Sequence, residues 1–135
     1  MDLMKSVQVS ASGMAAQSKR MQVVSENIAN ADSLVTETGE PYRRKLITFE
    51  ASIDRATGMT EVNVKHVKAD YETPLKREYA PYHPLADEKG FIAKPNVDTL
   101  IEKVDMRDAS RAYEANMSAI ESAKEMMVRS IDMLR

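Results

Sequence analysis

Two stretches, one at each end of the chain, place apolar, small or uncharged polar side chains at alternating steps of four and three. The first series is Leu3, Val7, Ser10, Met14, Gln17, Met21, Val24 and Ile28. The second is Met106, Ala109, Tyr113, Asn116, Ile120, Ala123, Met127, Ser130 and Leu134. This spacing keeps one seam of a helix against a partner as the two wind around each other. It predicts two long helices, the first of about 40 Å at 1.5 Å per residue. Two such helices alone leave much of their apolar surface wet, and that surface needs further neighbours. Chains that polymerise often devote both termini to seams of this kind.

The 135 residues predict one domain with a modest core. There is no Trp, and two Phe and five Tyr leave few aromatic anchors, while ten Met supply flexible gap-fillers suited to helix seams. A net charge of -2 provides no basic face for nucleic acid and no polybasic membrane patch. Without cysteine there is no disulfide framework, thiolate nucleophile or thiolate metal site. The opening Met1-Asp2-Leu3-Met4-Lys5 lacks the basic-then-apolar order of a signal peptide. No apolar run approaches the ~20 residues of a membrane span. The expectation is a soluble protein that leaves the cytoplasm, if it does, by a route without a cleaved signal.

Three segments follow. Residues 1–33 read as the first helix, with Gly13 a weak point or a place of close backbone approach. Asn30 is the expected left-handed cap. Residues 34–95 hold all five prolines and three of the four glycines, and read as a small, irregular β-rich excursion. Its extended pieces are Leu46–Phe49, the alternating Val62 and Val64, Tyr71–Ala80, and Phe91–Ala93, with Tyr79–Gly90 as a loop. Residues 96–135 read as the second helix, capped by Asn96 or by Thr99 with Glu102 as a capping box. Val97, Leu100, Ile101 and Val104 give its first turns a separate apolar face. The expected fold is mainly α with a small irregular β-rich insertion. Its long N- and C-terminal helices pack as an antiparallel, coiled-coil-like hairpin. The polar seam positions Ser10, Gln17, Asn116 and Ser130 cost stability and set register.

No catalytic constellation emerges. His66 and His83 have neither HxxxH nor HxH spacing, so no metal ligand set is expected. Ser10 and Ser12 lack a nucleophile elbow, and four glycines build no phosphate loop. Asp87-Glu88 before Gly90 fits a solvated loop better than an acid–base pair or a calcium site. Arg43-Arg44-Lys45 is a candidate contact for an acidic partner, or equally a solvated strand edge; no aromatic platform accompanies it for nucleic acid.

Ser10-Ala11-Ser12-Gly13-Met14-Ala15-Ala16-Gln17, followed by Val24-Ser25-Glu26-Asn27-Ile28-Ala29-Asn30-Ala31, resembles the N-terminal signature of the bacterial flagellar rod, hook and filament-junction family. Asn27-Ile28-Ala29-Asn30 is its most specific part. Pro41-Tyr42-Arg43-Arg44-Lys45, His83-Pro84-Leu85-Ala86-Asp87 through Gly90, Pro95-Asn96-Val97-Asp98 and Ala109-Ser110-Arg111-Ala112-Tyr113-Glu114-Ala115-Asn116 narrow the likeness to the proximal rod. Residues 51–78 match no family pattern, and Met14 stands where Leu is common. The resemblance implies a structural subunit of the basal body, exported unfolded through the flagellar type III apparatus without a cleaved signal. It implies assembly in the periplasm with other rod proteins and copies of itself, and no cofactor, metal, nucleic acid or small-molecule substrate. The terminal helices then form the inner tube. Asn27, Ile28, Ala29, Asn30, Tyr113 and Asn116 are carried over as subunit-packing residues beside the seam positions from Leu3 to Leu134. Two other classes are weighed against it. One is a cytoplasmic coiled-coil adapter or export chaperone. The other is a small hydrolase using His83 and Asp87.

Overall fold

The computed structural model describes residues 3–55 and 57–134. The element order is α1 (Leu3–Ala29), β1 (Lys45–Ile53), β2 (Thr60–Ala69), β3 (Lys76–Tyr79), β4 (Phe91–Lys94) and α2 (Thr99–Asp132). The fold is mainly α with two small antiparallel ribbons, β1–β2 and β3–β4. Leu46–Phe49, Val62 with Val64, and Phe91–Ala93 fall within β1, β2 and β4, whereas of the expected Tyr71–Ala80 piece only Lys76–Tyr79 is a strand.

Among the described residues α1 has no acidic residue in its first turn and no basic residue in its last, so these turns supply no charge to its macrodipole. Packing therefore has to hold it. One side meets α2. A methyl group at Gly13 would stand 3.0 Å from Asn116 Nδ2, so the missing Cβ is what admits the Asn116 side chain. Further along, Ser110 Oγ lies 3.4 Å from Met21 Sδ, and Asn27 reaches Glu102. The other side meets the β1–β2 ribbon, where the Val62 N–H donates to Ser12 Oγ (3.2 Å) and Gln8 Nε2 to Glu61 Oε1 (2.7 Å). Ala16, Val23 and Asn27, among the deepest residues of α1, lie off the strict seam, and Val23 and Asn27 line a cavity with Lys45, Leu46 and Ile47 of β1.

Two caps differ from expectation. α2 is capped by Asp98, whose Oδ1 accepts the Leu100 N–H at 2.9 Å, and not by Asn96 or Thr99. Asn96 is spent elsewhere. Its Oδ1 accepts the Arg44 N–H (2.8 Å), and its Nδ2 donates to Asp70 O and Thr73 O (both 3.1 Å). It thus ties the approach to α2 to both strands at the open end of the β1–β2 ribbon, where Lys45 pairs with Ala69. Asn30 is not left-handed, since no described residue other than glycine has a positive φ. Its Nδ2 instead donates to Glu26 O at 2.9 Å, closing the last turn of α1 from the side chain.

β1 and β2 pair from Lys45↔Ala69 to Ile53↔Thr60, with a shift between Thr48 and Phe49 that leaves Lys65 unpaired across the ribbon. Such a bulge bends a two-stranded ribbon and raises its twist, which suits a ribbon lying against a helix. β3 and β4 pair from Lys76↔Lys94 to Tyr79↔Phe91.

The core is made of small side chains. Ala16, Val23, Val24, Ala109 and Ala123 of the two helices are buried, as are Met59 beside the β1–β2 turn, Ile92 in β4 and Val97 before α2. Larger apolar side chains stand outside, including Met4, Met126, Ile131 and Met133.

Candidate assembly interface

Where α1 ends, the first strand begins and α2 starts, a polar junction forms around Asn27, which is 1% exposed. Its Nδ2 donates to Lys45 O (2.9 Å) and to Glu102 Oε2 (3.1 Å). Its Oδ1 accepts from the Lys45 N–H (2.8 Å) and the Tyr42 hydroxyl (2.9 Å). The amide therefore uses both donors and both acceptor sites. Toward Lys45 it behaves as one more rung of a β ladder, joining a helix side chain to a strand backbone.

Glu102, 0% exposed, is the charged centre of the junction. Arg44 Nε donates to its Oε1, and Arg44 Nη2 reaches Asp105 Oδ2 at 3.3 Å. Arg20 Nη2 meets the other oxygen of Asp105 at 3.2 Å. A continuous chain, Arg20–Asp105–Arg44–Glu102–Asn27–Tyr42, thus links α1, the entry to β1, and α2. A buried carboxylate without such partners would cost several kcal/mol.

Burial, followed by the carboxylates of Glu26 and Glu102, pushes the Tyr42 phenol up to about 12. Its folded value lies above the ordinary 10.0, so its contribution to stability is fully present below pH 10 and is lost as the pH rises through about 12. Denaturant midpoints measured between pH 10 and 12 should fall for the parent chain and fall less for Tyr42→Phe. Parallel curves would show that Tyr42 ionises without cost.

The basic run is engaged inside the chain. Arg43 lies 5.0 Å over the Tyr71 ring and donates to Thr73 O. Arg44 holds Glu102 and Asp105. Lys45 Nζ meets Glu26 Oε2 at 2.8 Å, and that contact lowers the Glu26 carboxyl below its usual range.

The seam residues divide by depth. Val24 is buried, while Leu3, Val7, Ser10, Met14, Gln17, Met21, Ile28 and Asn30 are half-buried. On α2, Ala109 and Ala123 are fully buried and Met106, Tyr113, Asn116, Ile120 and Met127 half-buried, whereas Ser130 and Leu134 are exposed. Gln17 buries its Oε1 with no hydrogen-bond partner among the described residues. Of the separate apolar face on α2, Val97 is buried, but Leu100, Ile101 and Val104 are 70%, 52% and 49% exposed.

His83 Nδ1 accepts the Leu85 N–H (3.1 Å), and Asp87 Oδ1 accepts the N–H groups of Lys89 (2.8 Å) and Phe91 (2.9 Å). These groups hold their own loop and make no hydrogen bond to each other. Among the described residues no three His, Asp or Glu side chains gather as a metal site.

Family comparison places both helices. Residues 8–34 match the family model described as flagella basal body rod protein, and residues 88–133 match the flagellar basal body rod FlgEFG protein C-terminal model. The flagellar basal-body rod protein FlgC of Agrobacterium fabrum is 41% identical over 128 residues, covering 94% of this chain and 91% of the relative. The chain belongs to the FlgC family of flagellar basal-body rod proteins. FlgC of Salmonella typhimurium is 39% identical over 132 residues, with 97% of each chain covered. FlgC of Borreliella burgdorferi is 37% identical, over 100% of this chain and 99% of the relative. As a FlgC-family chain it is a structural rod subunit of the flagellar basal body. Asn27 lies within the first family-model match and Glu102 within the second, while Tyr42, Arg44 and Lys45 lie between the two. The polar junction therefore joins both rod segments through the connection that separates them.

Proposed function

We propose that this chain builds the proximal part of the rod, with α1 and α2 as an antiparallel, coiled-coil-like hairpin that forms the inner tube of a helical drive shaft. The observation that carries this reading is the inversion of size between inside and outside. Ala and Val fill the contact between elements, while Leu100, Ile101, Met126 and Ile131 stand on the exposed flanks of α2. A rod is an open helical assembly, so each subunit needs two different apolar patches that meet heterologously. The half-buried seam residues serve twice in this reading. Their inner edges hold the subunit, and their outer edges meet neighbouring copies and other rod proteins.

Torque passes through rigid packing rather than through any reaction. The Asn27–Glu102–Arg44 junction supports this role by bracing the two helices and the ribbon at one point. Arg44 and Lys45 act within that brace, and Arg43 holds Tyr71 and Thr73 beside it. The subunit reaches the periplasm through the flagellar type III export apparatus.

Cell fractionation after deletion of an export-gate component tests this. The chain is expected to shift from the basal-body fraction to the cytoplasm. A cytoplasmic adapter would keep the same distribution in both strains, and that result overturns the proposal.

A further inference from the structure

The loop joining β3 to β4 has no task in the function above. It is locked by its own hydrogen bonds: the Ala80 N–H donates to Gly90 O (2.9 Å), the His83 N–H to Ala80 O (3.0 Å) and the Ala86 N–H to His83 O (2.9 Å). Asp87 Oδ1 closes its far end on Lys89 and Phe91. At its base Tyr79 and Phe91 meet edge to face with centroids 5.3 Å apart. Gly90 has φ +80, and a Cβ there would come within 3.0 Å of the Tyr79 ring, so the turn admits only glycine without strain. On this frame Tyr82 stands 100% exposed between two prolines, with Leu85 exposed beside it. A large amphipathic ring on a pre-ordered loop loses little entropy on docking. Glu88, on the same loop, is exposed and has no ion pair among the described residues.

The complement lies on the same chain. Leu100 and Val104, one turn apart on α2, present an exposed aliphatic face. Lys103 and Arg107, also one turn apart, run along its flank, exposed and without an ion pair among the described residues. An exposed tyrosine and leucine beside the Glu88 carboxylate, and an exposed aliphatic helix face flanked by Lys103 and Arg107, are complementary in apolar character and in the sign of these charges. They are different patches, so their contact is heterologous and propagates instead of closing into a dimer.

We infer that the Tyr82–Leu85 loop of one copy docks on the Leu100–Val104 face of a second copy, with Glu88 against Lys103 and Arg107. This rests on the rod-subunit reading for the presence of adjacent copies. The chain has no cysteine, so Leu85→Cys with Val104→Cys introduces the only two thiols. Basal bodies purified from cells expressing this double variant and treated with a short bis-maleimide are expected to yield cross-linked multimers of the chain, which neither single variant yields. Only monomer, or a link to a different polypeptide, overturns the contact. Independently, Glu88→Lys is expected to lower incorporation into basal bodies about tenfold with an unchanged melting temperature. Lys103→Glu with Arg107→Glu in the same chain should then restore it. Normal assembly of Glu88→Lys alone, or failure of the rescue, overturns the pairing. Should the unmodified chain be missing from purified basal bodies, the rod reading falls and this contact with it.

Discussion

Replacing Asn27 by Ala should lower the stability of the chain by about 3–5 kcal/mol, read from chemical denaturation. The figure follows from what the amide leaves behind. The Lys45 N–H and C=O, the Tyr42 hydroxyl and one oxygen of Glu102 all lose a partner in a site where Asn27 is buried. Each stranded group costs about 1–3 kcal/mol where water cannot replace the bond. Against a total of about 5–15 kcal/mol for an ordinary domain, the loss is a large fraction. Asn30→Ala is the control, because its two bonds, to Glu26 O and from the Ser33 hydroxyl, lie at the half-buried end of α1, and their loss should cost about 1 kcal/mol. Equal effects at the two positions would show that the Asn27 ladder contributes nothing special.

The second large effect is expected at Arg44. Arg44→Met leaves the Glu102 carboxylate fully buried, with Asn27 as its one remaining hydrogen-bond partner among the described residues. Removing one partner of a buried pair costs about 3–5 kcal/mol, chiefly because the other charge stays behind. Asp105 is less affected, since Arg20 still reaches it. Adding Glu102→Gln removes the stranded charge and keeps an oxygen for Asn27, so the double variant should recover most of the loss. A double variant as unstable as Arg44→Met alone would show that Arg44 acts through its stem packing and not through charge.

Much of the secondary structure is legible in the chain. The 4-3 spacing gives both helices nearly their full length, and the β-prone runs at Leu46–Phe49, Val62 with Val64, and Phe91–Ala93 fall within β1, β2 and β4. Helical spacing also exposes the α2 side of α1. It does not expose the second buried side, because Ala16, Val23 and Asn27 sit among residues equally small or polar, such as Ala15, Ser18 and Ser25, which remain exposed. A small side chain reads the same whether a ribbon or water covers it.

The caps fail for a related reason. Asn96, Asp98 and Thr99 are all competent N-caps by residue type, and a Glu three residues after Thr99 completes the local pattern of a capping box. Local sequence does not register that Arg44, 58 residues away in the chain, arrives beside Glu102. Nor does it register that the Arg44 N–H, Asp70 O and Thr73 O already occupy Asn96. Tyr42, likewise, is read in the sequence only as a member of the Pro41–Lys45 motif; the role of its hydroxyl appears only where Asn27 Oδ1 stands 2.9 Å away.

By itself, then, the sequence determined the two long helices, the position of the β-rich insertion, and membership in an assembling flagellar family. Each of these rests on periodicity or on contiguous motifs, which are properties of neighbouring residues. Only the tertiary structure decided that Glu102 is a buried charge rather than a cap. Only it showed that Asn27 fastens strand to helix, and that the basic run spends its charge internally. Those outcomes depend on pairings across dozens of residues, and a hydrogen bond or an ion pair exists only once the fold has brought its two ends within reach.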